Sequence, residues 1–105
     1  NDAVTNIVAE VGTTYTLGLG ARAGVVTQDN ASAIVTTVPL NATVAFAIGT
    51  TVSLLQLGVG QVTIAPAGGV TLVSEIGLKI KGQYGFDTLL KIATDSWAVS
   101  GSLEA

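Results

Sequence analysis

Seven carboxylates, Asp2, Glu10, Asp29, Glu75, Asp87, Asp95 and Glu104, are the groups through which this chain could do acid–base work, and they stand singly along it. Glycoside hydrolysis needs two carboxyl groups flanking one bond, so a pair would have to be assembled from distant positions. Histidine and cysteine are both absent. That removes the commonest general base, the commonest metal ligands, thiolate chemistry and any disulfide framework. Asp29, Asp87 and Asp95 each adjoin turn residues, where capping of backbone N–H groups is the expected job. No catalytic, cofactor-binding or metal-ligating residue is nominated, and a non-enzymatic role is expected.

The glycine phrases Gly18-Leu19-Gly20, Gly58-Val59-Gly60 and Gly68-Gly69 invite comparison with phosphate-binding loops. None is followed by Lys-Ser or Lys-Thr and none opens a helix, so they read as turns. Asn41-Ala42-Thr43 matches the glycosylation triplet, which carries weight only on a secretory route. The aromatic residues are Tyr15, Phe46, Tyr84, Phe86 and Trp97. Trp97, Phe46 and Phe86 are expected in the core, while exposed Tyr84 or Trp97 would suit stacking on a sugar. The Thr-rich runs lack the regular Thr-x-Thr repeat of an ice-binding ladder.

Abundant Val and Thr, thirteen glycines and no long 3.6-residue apolar period predict an all-β protein of short strands. The expected strands are Thr13 to Leu19, Val25 to Gln28, Ala33 to Val38 ending at Pro39, Thr43 to Ala47, Val70 to Val73 and Leu78 to Lys81. Thr51 to Leu57 and Gln61 to Ala65 read as a central hairpin closed by Gly58-Val59-Gly60. Phe86 to Ala93 and Trp97 to Ser100 read as a second hairpin, across Thr94-Asp95-Ser96. Residues 1–11 are expected to be an N-terminal arm or a first strand, with 12–105 forming one β-domain. A small antiparallel β-sandwich, jelly roll or barrel is the predicted fold class. A β-solenoid is the alternative, because Val62-Thr63-Ile64 and Val70-Thr71-Leu72 echo each other across Pro66-Ala67-Gly68-Gly69.

At 105 residues the chain suits one core. Hydrophobic residues make up 49% and charged residues only 10%, well below the roughly one quarter usual in soluble domains. Either Ser, Thr, Asn and Gln do most of the solvating, or part of the apolar surface is covered by other copies or by a partner. Arg22, Lys79, Lys81 and Lys91 form no basic run and the net charge is −3, so nucleic acid is not an expected partner. Polar residues and glycines interrupt every apolar run, and no membrane insertion is expected. A chain opening on Asn1 is expected to have lost an initiator or leader, or to be a piece of something longer.

From Thr13 onward the chain resembles a module of tailed-bacteriophage structural proteins, found in head-decoration and head-fibre proteins and at the C-terminus of tail fibres. The phrases that carry the resemblance run in order from Tyr15-Thr16-Leu17 through Asn30-Ala31-Ser32-Ala33, Val38-Pro39 and Phe46-Ala47-Ile48-Gly49-Thr50. They continue through Gln56-Leu57-Gly58-Val59-Gly60-Gln61-Val62-Thr63-Ile64, Gly69-Val70, Leu78-Lys79, Gly82-Gln83-Tyr84-Gly85, Leu89-Leu90-Lys91, Trp97 and Gly101-Ser102-Leu103. Arg22 departs from it, standing where similar modules carry an acidic loop residue. The resemblance implies a virion structural protein, assembled in the bacterial host cytoplasm; the leading expectation is a virion surface protein that binds the major capsid protein or another virion protein as a homo-oligomer, a trimer, and decorates or cements the head. The alternative it implies is a tail-fibre or receptor-binding tip that recognises host glycan. A glycan depolymerase is the third reading. The resemblance leaves head or tail location, oligomer order and host open.

Overall fold

A computed structural model describes residues 6–105. The chain is all-β, and its first six strands alternate between two sheets. β1 (Ile7–Glu10), β3 (Val25–Gln28) and β5 (Thr51–Gln56) enter one; β2 (Thr14–Thr16), β4 (Ile34–Val38) and β6 (Val62–Pro66) enter the other. Within each sheet they run parallel and in register, with Ile7 beside Val25 beside Ser53, and Ile34 beside Val62. The chain thus winds through three stacked coils of a two-sheet solenoid. The echoing phrases have no part in this, since Val62–Ile64 lies in one sheet and the strand containing Thr71 and Leu72 in the other.

The direction then reverses. After β7 (Thr71–Ser74), β8 (Lys79–Ile80) runs antiparallel to β6, and β9 (Phe86–Ala93) runs antiparallel to β5. β10 (Ser96–Gly101) pairs antiparallel with β9 as the expected C-terminal hairpin, β7 joins β10 in parallel, and β11 (Leu103–Glu104) pairs antiparallel with β8. The six-stranded sheet has the order β1-β3-β5-β9-β10-β7 and the five-stranded sheet the order β11-β8-β6-β4-β2. Parallel coils form one half of the domain and antiparallel sandwich pairing the other.

Alternation with period two makes the core. β4 turns Ile34, Thr36 and Val38 inward, β5 turns Val52, Leu54 and Gln56, β6 turns Val62 and Ile64, and β10 turns Trp97 and Val99. Trp97 is only 1% exposed, and Phe46 meets it edge-on with ring centroids 5.3 Å apart. Gln28 and Gln56 are register partners buried between the sheets. Gln56 Oε1 accepts from the Val62 N–H at 3.0 Å while its Nε2 donates to the Gly58 carbonyl at 3.1 Å, so one side chain satisfies the turn that leads from β5 to β6. Gln28 Nε2 donates to Thr36 Oγ1 at 2.6 Å, tying one sheet to the other.

Four expectations need correction. The Gly58-Val59-Gly60 segment does not close a hairpin, because β5 and β6 lie in different sheets and the turn carries the chain across the core. Both edges of each strand are already occupied, β5 by β3 and β9, β6 by β4 and β8, which leaves no edge for β5 to offer β6. Thr43 to Ala47 is not a strand; it belongs to the connection between β4 and β5, closed by turns such as Val44 N–H to the Leu40 carbonyl at 3.0 Å. Phe86 is 46% exposed rather than in the core, since β9 directs Asp87, Leu89 and Lys91 inward and therefore Phe86 outward. Asp87 consequently caps no turn. Ile7–Glu10 takes the strand alternative, paired with β3, while the rest of the expected arm up to Thr5 lies outside the described residues.

Candidate interaction surface

The same alternation that buries Trp97 and Leu89 presents the complementary positions of the six-stranded sheet on its outer face. Register sets them in rows across the strands. Ala9, Thr27, Leu55 and Phe86 form one row; Ile7, Val25, Ser53, Thr88 and Ser100 form the next. Thr51, Leu90, Ala98 and Val73 form a third, beyond which lie Ile92, Ser96 and Thr71. No position in these rows is charged. Phe86, Leu90, Ile92, Val73 and Ile7 are all well exposed, and between them lie Ser and Thr hydroxyls, of which Ser53 Oγ and Thr88 Oγ1 are 3.1 Å apart.

Six strands spaced about 4.8 Å apart, each about five residues at 3.3 Å, give this face an area on the order of 400 Å². Exposed apolar side chains interspersed with hydroxyls over that area make this face the candidate interaction surface of the described residues. The outer face of the five-stranded sheet differs. Its rows are Thr14, Val35, Thr63, Lys79 and Glu104, then Thr16, Thr37 and Ala65, so threonine predominates and charges appear at one edge.

The turns that join the sheets at one end of the coils are also stacked. Asp29 N–H bonds the Glu10 carbonyl at 3.0 Å, Asn30 Nδ2 bonds the Val11 carbonyl at 2.7 Å, and Gly60 N–H bonds the Asn30 carbonyl at 2.9 Å. Asn30 Oδ1 accepts from Ser32 N–H at 2.9 Å, a side-chain-closed turn of the kind the Asp29-Asn30 pair suggests. Gln83 Nε2 and the Tyr84 N–H then cover the last coil by donating to the Leu57 and Gln56 carbonyls at 3.0 and 2.6 Å. Tyr84 occupies the left-handed region at φ 69° and is 68% exposed, so the backbone holds its ring out into solvent. Trp97, the other candidate for sugar stacking, is buried and presents no ring to a ligand.

The carboxylates are placed as follows. Asp95 Oδ1 accepts from the Asn41 N–H at 2.8 Å, capping a loop 54 residues away rather than its own turn. Asp87 is buried between its register partners Leu54 and Gly101, and neither carboxyl oxygen has a hydrogen-bond partner. Desolvation pushes its carboxyl up to about 7 from an ordinary 3.8. Burial likewise pushes the Tyr15 phenol up. A shallow recess beside β10, lined by Ser74, Glu75, Ile76, Val99, Ser100, Gly101 and Leu103, contains Glu75 as its one carboxylate. Among the described residues, no three acidic side chains gather as a metal-ligand set, and no helix is long and apolar enough to cross a membrane.

Neither the uncharged face nor the glutamine pair was named from sequence. The signal was present in the alternation of β3, β5 and β9, but it becomes a face only when those strands are known to be neighbours. No family model matches the chain, and comparison with curated proteins and with solved structures finds no match either.

Proposed function

We propose that this chain is a non-enzymatic structural protein of a tailed-bacteriophage virion, a decoration or cement protein that binds the head surface as a homotrimer. The observation that carries the reading is the outer face of the six-stranded sheet, where no row holds a charge and Phe86, Leu90, Ile92 and Val73 are exposed. Were the whole face apolar, about 400 Å² would contribute at most roughly 10 kcal/mol gross at 25 cal/mol/Å², and the interspersed Ser and Thr lower that. Association costs about 4–15 kcal/mol, so one pairwise contact of this size is marginal. Three copies turned toward a common axis share each face between two neighbours, and closure supplies the second contact. The Thr-rich opposite face and the stacked turns then remain available to the capsid. The order of phrases from Tyr15 to Leu103 supports a phage origin.

A second reading, a fibre tip that binds host glycan, is favoured by Tyr84, whose strained backbone and exposed ring suit a stacking contact. Immunogold labelling of intact particles with an antibody against this domain separates the two. Label distributed over the head is the expected result. Label confined to the tail tip would transfer the assignment to the second reading, and unlabelled particles would overturn both.

A further inference from the structure

We infer that Lys91 and Asn41 form an intramolecular isopeptide bond that fastens the β4–β5 connection to β9. Lys91 projects inward from β9 and is 2% exposed. Its Nζ donates to Asn41 Oδ1 at 2.6 Å and to the Phe46 carbonyl at 2.7 Å. Both acceptors are neutral oxygens, a carboxamide and a backbone carbonyl, so neither bond is to a carboxylate. A hydrogen bond of that length to a carboxamide oxygen sets the amine nitrogen about 3–4 Å from the carboxamide carbon, so attack requires only that the deprotonated amine shift from the oxygen to the face of the carboxamide.

The surroundings hold the two groups together. Asp95 Oδ1 grips the Asn41 N–H at 2.8 Å, and Asp95 is carried on the turn between β9 and β10. The backbone of Lys91 is itself paired with the connection, since its N–H bonds the Thr50 carbonyl at 2.9 Å and its carbonyl accepts from Gly49 at 2.8 Å. Phe46, whose carbonyl receives the second Lys91 hydrogen bond, packs its ring on buried Trp97. Lys91 and Phe46 are buried at this point, while Asn41 and Asp95 are half-buried at its outer side.

The step needs no co-reactant. The Lys91 Nζ lone pair attacks Asn41 Cγ, an Nζ–Cγ bond forms and the Cγ–Nδ2 bond breaks. Starting from the ammonium, Nζ gives up two protons and retains one, and Nδ2 leaves with four as ammonium, so atoms and charge balance. The product is a secondary amide joining positions 50 residues apart. It replaces a buried cation by a neutral group and fixes the longest connection of the coils to the antiparallel half. Asp95 acts as a positioning residue, through the backbone of Asn41.

The test is mass spectrometry of the denatured full chain and its tryptic digest. The expected mass is about 17 Da, one ammonia, below that of the sequence. Trypsin should fail to cut at Lys91, leaving 82–105 whole and joined to 23–79 in one branched fragment. Lys91→Arg and Asn41→Ala should restore the unbridged mass. Asp95→Ala should leave a mixture of linked and unlinked chains, with Asp95→Asn, which keeps an oxygen for the Asn41 N–H, linked as fully as the parent. A parent chain at the full sequence mass that releases separate 82–91 and 92–105 fragments would overturn the inference and leave Lys91 as a hydrogen-bonded core lysine. Complete linkage in Asp95→Ala would remove Asp95 from it.

Discussion

Raising the pH from about 4 to about 7 should destabilise this domain, and Asp87→Asn should abolish most of that dependence. The carboxyl is pushed up to about 7 when folded, against 3.8 ordinarily, because burial disfavours its charged form. Between those values the folded chain keeps a proton that the unfolded chain has released. Protons bound are therefore more numerous in the native state, and stability falls as pH rises through the window. Below pH 4 both states are protonated and the contribution is fully present; above pH 7 it is lost. The full swing is roughly 4 kcal/mol at 1.36 kcal/mol per unit.

The carboxamide introduced by Asp87→Asn cannot ionise, so the variant should show a nearly flat profile between pH 4 and 7. That amide still lacks partners, which returns about 1–3 kcal/mol of the gain. At pH 8 the net result should be a rise in Tm on the order of 5–10 °C for a domain of this size. Thermal melts of parent and variant from pH 3 to 8 make the comparison. Superimposable pH profiles would show that Asp87 does not titrate within the fold's working range.

Gly60→Ala should be the most damaging of the small substitutions. A Cβ on Gly60 would lie 1.9 Å from the Ser32 carbonyl oxygen, 2.5 Å from its carbon and 2.6 Å from the Asn30 carbonyl oxygen. All three are backbone atoms of the turn stacked beneath, so no side chain can swing away to make room. The Gly60 N–H bond to Asn30 would be forced apart, and with it the register between the second and third coils. The expected cost is about 3 kcal/mol or more, beyond ordinary overpacking. Gly68→Ala is the control, because a Cβ there meets nothing within 4 Å and its φ is not in the left-handed region. Urea unfolding should show a large loss in midpoint for Gly60→Ala and little change for Gly68→Ala; equal midpoints would refute close stacking of the turns.

Gly60 also illustrates what could be read without coordinates. Two glycines between apolar runs announce a turn, and the turn is there. Whether it folds the chain back along one sheet or carries it across to another depends on which edges are free, and those are set by β3, β4, β8 and β9. The glycines are required for close approach to Asn30 and Ser32, not for an unusual φ. Val25–Gln28 and Phe86–Ala93 fall where alternation and β-branching predict them, because those signals are local. Thr43 to Ala47 carries the same composition yet remains a connection, tied down by Lys91 and Trp97 from the far end of the chain.

The candidate surface was less legible than the strands. A scarcity of charge announces that some apolar area needs covering, but not where. Phe86 and Leu89 look equally suited to a core, and only the phase of β9 separates the exposed one from the buried one. Asp87 follows Gly85 and Phe86 near a turn, which suggests a cap; one residue of phase places it inside instead.

The central claim is that the uncharged face joins copies of this chain, and sedimentation equilibrium of the parent and of Leu90→Glu tests it most directly. Leu90 is 39% exposed in the middle of that face, so the substitution should leave the fold intact while placing a charge at the proposed contact between copies. The expected result is a trimer mass for the parent and a monomer mass for the variant, with closely similar circular dichroism. A parent chain that sediments as a monomer at tens of micromolar, or a Leu90→Glu variant that remains as oligomeric as the parent, would contradict the assignment of this face.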